Sequence, residues 1–479
     1  MTASEVIIVW FRQDLRLADN PALVAAAASG ARVVPLYILD DDNAREWALG
    51  AASRWWLHQS LISLDKSLQG QLSVLRGAAH KILSRAASET GATAVYWNRC
   101  YEPWRIDRDR RIRKTLQAQS VAVRSYNGSL LYEPTTVHKR DGSPYKVFTP
   151  YYRNGCLENG AEPRPLVSQP KDLKLLRLPS SDRIDDLQLM PAQRWYDSIA
   201  AEWTPGELGA EQRLDRFLAE GIGHYTSGRD RPDQRFVSRL SPHLHFGELS
   251  PHQIRQRVMK SATGDDENRE HFLRELGWRE FSTYLLYHWP EMTRSNLQRK
   301  FNRFPWREDP SGLQKWQTGQ TGIPIVDAGM RELWQTGFMH NRVRMITASF
   351  LVKNLLLHWH HGEDWFWDTL VDADLANNSA GWQWVAGSGA DAAPYFRIFN
   401  PVTQGRRFDP DGLYVREYVP ELRQLPNKHL HAPWEAPATV LQDAGVCLGR
   451  DYPQPLVDLK ESRVRALAAF RSMTPADPE

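Results

Sequence analysis

The stretch "VIIVWFRQDLRLADNPALVAAAASGARVVPLYIL", residues 6–39, decides the architecture of the first part of the chain. It opens on six consecutive apolar residues, 6–11, and closes on a second apolar run, 32–39. Apolar runs of this length without polar alternation fit strands covered on both faces. Three more follow, "LSVL" (72–75), "AVYW" (94–97) and "VAVRSY" (121–126), with helical stretches between them. The clearest of these is 51–68, where Trp56, Leu57, Leu61 and Leu64 recur at helical spacing. Strands alternating with helices predict βαβ units and hence an α/β domain, a parallel doubly wound sheet with helices on both faces. "NG" at 127–128 closes the block with a turn.

Beyond this point the texture changes. "ENGAEPRPLVSQPKDL" and "RLPSSDRIDDLQLMP" are rich in proline and charge and lack periodicity, so they read as a connector over the surface. After about residue 205 strand signals nearly vanish, and "EQRLDRFLAEGI" (211–222), "REHFLRELGWREFSTYLLYHW" (269–289) and "HNRVRMITASFLVKNLLLHW" (340–359) are helical. We therefore assign 1–130 to an α/β domain, 131–205 to a connector and 206–479 to an all-α domain.

Composition narrows the function. The 479 residues are 42% apolar and 24% charged with no low-complexity tract, which describes a folded chain with more than one core. A net charge of +3 means that a nucleic-acid partner would rely on local clusters of Lys and Arg. Three scattered cysteines, Cys100, Cys156 and Cys447, exclude a disulfide framework and a four-thiolate iron–sulfur cluster, and they fit a reducing compartment. The N-terminal apolar run is broken by Arg12 and Asp14, and "ITASFLVKNLLLHW" is interrupted by Lys353 and is too short to span a bilayer. A cytoplasmic location and no membrane partner are expected.

Several motifs carry little. "GSGADA" (387–392) fits a dinucleotide fingerprint but does not follow a strand in a βαβ unit. "HLH" (243–245) and "HWHH" (358–361) lack the spacing and carboxylate of a zinc site, so no metal is expected. "RRIRK" (110–114) sits among aspartates, with Asp107–Arg111 and Asp109–Arg113 spaced as pairs on a solvated helix face.

Other motifs carry more. In "RELGWREF" Glu275, Trp278 and Arg279 share a helix face, as do Asn341, Arg344 and Met345 in "HNRVRMITASF". A face offering carboxylate, indole and guanidinium suits a base held by stacking and edge hydrogen bonds. A salt-bridge cluster with tryptophan as filler would explain either helix alone. The combination recurs beside "DADLANNSAGWQW" (372–384), in a chain with 19 tryptophans.

These motifs, with "VWFRQDLRLADNPAL", "SRLSPHLHFGELSP" and "DADLANNSAGWQWVAGSGADAAPYFRIFNPVTQGRRFDPDG", resemble the cryptochrome/photolyase family over nearly the whole chain, most closely the photolyases that repair cyclobutane pyrimidine dimers. The resemblance implies an N-terminal α/β antenna domain and a C-terminal helical domain binding FAD. It implies that Tyr225 and the segment Val237, Ser238, Arg239, Leu240 and Ser241 hold the phosphates and ribityl chain, with Val237 standing where a hydroxyl is usual. Asp372, Ala373 and Asp374 would lie against the isoalloxazine, Asp372 paired with Arg344, and Asn378 would face flavin N5. Trp382, Trp359 and Trp306 match the family's electron relay. Glu275 and Asn341 would hydrogen-bond the lesion, Trp278 and Trp384 would flank it, and Met345 stands where photolyases for (6-4) lesions carry histidine. Arg279, Arg342 and Thr403 would contact the DNA backbone or lesion.

The implied activity is that of a carbon–carbon lyase: an electron from photoexcited FADH⁻ splits a dimer flipped out of damaged DNA, a mechanism known for photolyases as base-flipping enzymes. A monomer suffices for it. The antenna expected is methenyltetrahydrofolate, with Glu102 as a contact and a deazaflavin as the alternative. Two rival readings are a cryptochrome-type blue-light receptor, against which Asn378 and Met345 stand, and a single-strand nucleic-acid binder, which leaves 372–378 unexplained.

Overall fold

The computed structural model describes residues 5–395 and 397–473. Strands β1 (Val6–Phe11), β2 (Arg32–Leu39), β3 (Ser73–Arg76), β4 (Ala94–Asn98) and β5 (Ala122–Tyr126) form one sheet in the order β3-β2-β1-β4-β5. All four pairings are parallel. At the centre Ile8 faces Val34 on one side and Val95 on the other, and β1 is buried along its whole length, as its unbroken apolar run requires. Edge strand β5 is half-buried and accordingly more polar. The helices Pro21–Ala28, Ala51–Ser67, Ala79–Thr90 and Pro103–Ala118 supply the crossovers. After β5 the described residues form helices, turns and isolated bridges. The expected fold class is therefore the observed one.

The chain forms two compact units. The first runs from the N-terminus to Gly223 and adds Ser238–Pro290 and Val371–Ala376; the second comprises His224–Val237, Glu291–Leu370 and the chain from Asn377 onward. Within the first unit the proline-rich connector is pinned through buried Asp19. Its carboxylate receives Arg164 at 2.6 and 2.9 Å, the Val167 N–H at 3.0 Å and the Ser250 hydroxyl at 2.6 Å.

Two sequence expectations change. The surface pair Asp109–Arg113 is not formed. Asp109 faces inward, where it pairs with Arg12 and, at 2.9 Å, with Arg108, and Arg113 donates to the Ser125 hydroxyl instead. Asp107 pairs with Arg110 at 2.8 Å, and Arg111 reaches only the Asp107 backbone carbonyl. Spacing alone does not say which helix face is buried.

The helix expected over 340–359 is also interrupted. Asn341–Ser349 is α-helical, Phe350–Asn354 widens into a π turn, and a new helix starts at Trp359. Between them Leu356 adopts φ +57°. The widened turn carries Lys353 into the interior, where its ammonium donates to the Arg397 carbonyl at 3.1 Å and lies over the Tyr395 ring.

Glu280, on the helix Asp266–His288, is 1% exposed and accepts from the Tyr132 N–H at 3.0 Å and from Arg279 at 3.1 Å. Burial pushes its carboxyl up from the usual 4.5 to about 7. A raised folded pKa gives stability that is complete below the unfolded value and lost as pH rises through the folded one. Denaturation between about pH 5 and pH 8 should therefore lose roughly 2–3 kcal/mol of stability from this group. Glu280→Gln, which does not ionise, should flatten that slope, and an unchanged slope would assign it to other groups.

Candidate functional site

In the first unit the segment 238–245 is locked by a buried stack. Arg239 takes φ +52°, pairs with Glu202 and lays its guanidinium over Trp203 at 4.5 Å. Trp203 meets Trp56 at 5.3 Å, and the Trp56 indole N–H donates to Glu248 at 2.9 Å. The second Glu248 oxygen meets His243 Nδ1 at 2.5 Å. Downstream of this anchor the Ser241 hydroxyl donates to Asp372 at 2.5 Å. Two residues expected at the flavin from separate motifs are thus brought together. Asp374 lies 3.6 Å from His245 Nδ1, and the His245 ring is 7% exposed with neither nitrogen hydrogen-bonded.

A narrow cleft in the same unit is lined by Gln13, Tyr101, Glu102, His245, Arg279 and Asp374. Its room for water-sized molecules is about 40 Å³, enough for roughly three waters. The crevice at the β1/β4 switch point, where doubly wound sheets bind ligands, is covered by the chain's own side chains. Arg108 lies over Trp10 at 4.5 Å and Arg12 over the same ring at 4.8 Å.

On the helix Asp266–His288, Glu275 and Trp278 are half-buried. One face of Trp278 is covered by Phe148, stacked at 3.8 Å, and Tyr152 packs so tightly on Gly277 that a Cβ there would lie 2.6 Å from its ring. Arg279 donates to the Ser129 carbonyl at 3.0 Å as well as to Glu280, so its guanidinium is engaged inside its own unit.

In the second unit His340 caps Asn341–Ser349, its Nδ1 accepting from the Arg342 N–H at 3.2 Å. Asn341 is exposed, while Arg342, Arg344 and Met345 are half-buried. Arg342 pairs with Asp230 at 2.8 Å and lies over Phe408 at 4.5 Å; Arg344 donates to the Met339 carbonyl at 2.7 Å. Tyr225 is buried under the Arg229 guanidinium. Thr403 is exposed on the first turn of Pro401–Phe408, a helix that also exposes Arg406 and Arg407.

Asn378 and Ser379 are tied to Glu363. The Asn378 amide nitrogen donates to the Glu363 carbonyl at 2.9 Å, which leaves the amide oxygen as the end free to accept a hydrogen bond. Ser379 and His360 reach the Glu363 carboxylate at 2.5 and 2.9 Å, and burial raises the pKa of that carboxyl. Sequence reasoning missed Glu363. Its only signal was the His360–Glu363 spacing inside "HHGEDWFW".

Trp382 packs against Phe366 at 5.0 Å and Trp316 at 6.1 Å. Trp359 is 0% exposed and donates to Asn296 at 3.0 Å. Trp306 is half-buried, so exposure increases from the inner two of these three indoles to the third. Trp384 is half-buried too. Each unit by itself offers polar groups of the kind a flavin takes: the first the Ser241–Asp372 pair and the His245 ring, the second the oriented amide oxygen of Asn378. No group of described His, Cys, Asp and Glu side chains forms a metal site.

Comparison with known proteins agrees with this arrangement. Residues 7–169 match the family model for DNA photolyase, and residues 272–472 match that for the FAD binding domain of DNA photolyase. The deoxyribodipyrimidine photo-lyase of Agrobacterium fabrum is 47% identical over 475 residues, 98% of each chain. Cryptochrome-1 of Arabidopsis thaliana is 38% identical over 97% of this chain and 70% of its own. Among solved structures, a bacterial class III photolyase from Agrobacterium tumefaciens superposes with a TM-score of 0.95 at 46% identity, covering 99% of this chain and 98% of that one. A Synechocystis cryptochrome gives 0.89 at 30% identity over 98% and 100%.

A Cβ built on Gly362 would lie 2.0 Å from the Trp382 ring. Gly362→Ala should therefore displace that indole and cost about 1–3 kcal/mol by overpacking. Thermal unfolding with tryptophan emission as probe tests this; an unchanged midpoint and spectrum would mean that the ring relaxes freely.

Proposed function

Because the chain belongs to the DNA photolyase family, we propose that it is a light-driven lyase that repairs cyclobutane pyrimidine dimers in DNA, an electron passing from photoexcited FADH⁻ to a lesion flipped out of the duplex. The names of the most similar relatives support this reading, and one structural observation carries it. The Asn378 amide is anchored through its nitrogen, which leaves its oxygen to accept, and in this reading that oxygen would accept from flavin N5–H.

When bound, FAD supplies the photoexcited electron donor; the chain's residues position and protect it. In this reading Tyr225, the segment Val237–Ser241, Arg344, Asp372, Ala373, Asp374 and Asn378 hold the cofactor. Glu275 and Asn341 hydrogen-bond the paired pyrimidines, and Trp278, through the face not covered by Phe148, and Trp384 flank them. Met345 packs against the lesion. Arg342, Thr403 and Arg279 contact the DNA backbone or the lesion, Arg342 exchanging Asp230 for DNA. Residues 1–130 form the antenna domain, 131–205 the connector and 206–479 the catalytic domain. An antenna, methenyltetrahydrofolate ahead of a deazaflavin, with Glu102 as a contact, belongs to the reading on family grounds alone. The protein acts as a cytoplasmic monomer, and no described helix is long and apolar enough to cross a membrane.

A cryptochrome-type receptor is the second reading, favoured by the likeness to the Synechocystis and Arabidopsis proteins. Repair separates the two. The flavin-loaded protein, reduced anaerobically and given a thymine-dimer oligonucleotide, should restore thymine absorbance under blue light. Glu275→Ala should slow that recovery about ten- to a hundredfold, the cost of one hydrogen bond to a charged group. Trp382→Phe should abolish photoreduction yet leave repair by chemically reduced protein intact. Photoreduction without any repair would transfer the function to the receptor reading.

A further inference from the structure

The first histidine of "HWHH" sits against two indoles. The His358 ring centroid is 5.1 Å from that of Trp306 and 5.7 Å from that of Trp359. Its Nδ1 accepts from the His360 N–H at 3.2 Å, capping the helix Trp359–Thr369. A ring nitrogen that accepts carries no proton, so while the cap stands the imidazole is neutral and protonated on Nε2. Burial acts in the same sense, pushing the His358 pKa down to about 4.

We propose that His358 is the bridge of the outer electron hop, its neutral ring coupling Trp306 to Trp359. The proposal rests on the reading above that Trp382, Trp359 and Trp306 form the relay. Trp382 gives one electron to the light-excited flavin, Trp359 refills Trp382, and Trp306 refills Trp359 through the imidazole. Trp306, half-buried, then loses its indole proton to solvent, and an external thiol returns one electron and one proton, ending as a thiyl radical. The imidazole is neither oxidised nor protonated. Its neutrality matters because a cation in van der Waals contact with both indoles would oppose a positive hole on either one. The Trp359 N–H, held by Asn296, keeps the intermediate site protonated while the hole passes.

Transient absorption of the full chain with oxidised FAD tests this through tryptophan-radical signals rather than repair. Three variants separate ring from cap: His358→Asn keeps a cap acceptor and loses the ring, His358→Phe keeps a ring and loses the acceptor, and His358→Leu loses both. The first step, seen as flavin excited-state decay, should be unchanged in all three. Appearance of the deprotonated Trp306 radical should slow about tenfold or more in the Asn and Leu variants and stay near wild type in Phe. Wild-type outer kinetics in the Asn variant would overturn the proposal, as would equal slowing in Phe and Leu with Asn unaffected, which would assign His358 to the cap alone. ¹⁵N NMR of the histidines, read in the dark at neutral pH, should show His358 Nδ1 unprotonated; a protonated Nδ1 would also overturn it. Absence of the first step in the wild-type protein would instead remove the relay reading itself.

Discussion

A buried carboxylate organises the centre of the second unit. Glu363 is withdrawn from water, and a charge so placed is tolerated only where donors converge on it. Ser379, His360 and, at 3.5 Å, Arg294 supply them. Two of these donors lie on the helices Trp359–Thr369 and Leu375–Ala386, so the carboxylate fixes one helix against the other. The backbone carbonyl of the same residue takes the Asn378 amide nitrogen and so decides which end of that amide is left to accept. One residue earlier, Gly362 removes the side chain that would collide with Trp382. The orientation of Asn378 and the seat of Trp382 therefore follow from the same local constraint.

The first unit meets its electrostatic demands differently. At the carboxyl ends of β1 and β4, Arg12 and Arg108 lie over Trp10, with Asp109 and Asp40 as counter-charges. Guanidinium on indole is a low-hydration way to bury a cation, and the aspartates neutralise what the rings do not. The outcome is a switch point plugged by the chain's own side chains. A narrow cleft in this unit is lined by polar side chains, His245, Asp374 and Glu102 among them, and by leucines.

The sheet was legible because a strand buried on both faces leaves an unmistakable apolar run, and all five runs became strands within a residue or two. The break at Phe350–His358 was not, because nothing local demands it. "ASFLVKNLLL" is a good helical sequence, and the π turn answers to partners more than forty residues away, the Arg397 carbonyl and the Tyr395 ring. Asp109 failed for a related reason, since an i,i+4 spacing assumes a solvated face. For the candidate site, helical periodicity correctly grouped Glu275 with Trp278 but said nothing of Phe148, which covers one face of that indole from another segment. Asn378 stood out only through resemblance, and Glu363, which orients it, stood out hardly at all.

The tryptophans themselves divide by charge. Trp10, Trp97, Trp104 and Trp203 in the first unit each carry a guanidinium over the ring. Among the described residues no guanidinium or ammonium lies over Trp306, Trp359 or Trp382, whose ring neighbours include Phe304, Phe366, Trp316, the neutral ring of His358 and, against Trp359 at 3.8 Å, the His360 ring. The distinction is physical. A cation over an indole lowers the energy of its π electrons and makes them harder to remove, so ring–guanidinium stacks suit packing and anchoring. In the relay proposed above, an indole that gives up an electron and recovers it is served by the absence of such a cation over its ring and by a fixed acceptor for its N–H, as Trp359 has in Asn296. The heavy aromatic load of this chain thus serves two ends, and what separates them is the charge placed against each ring rather than its depth of burial: Trp10 and Trp359 are both wholly buried, one under arginine and the other beside histidine.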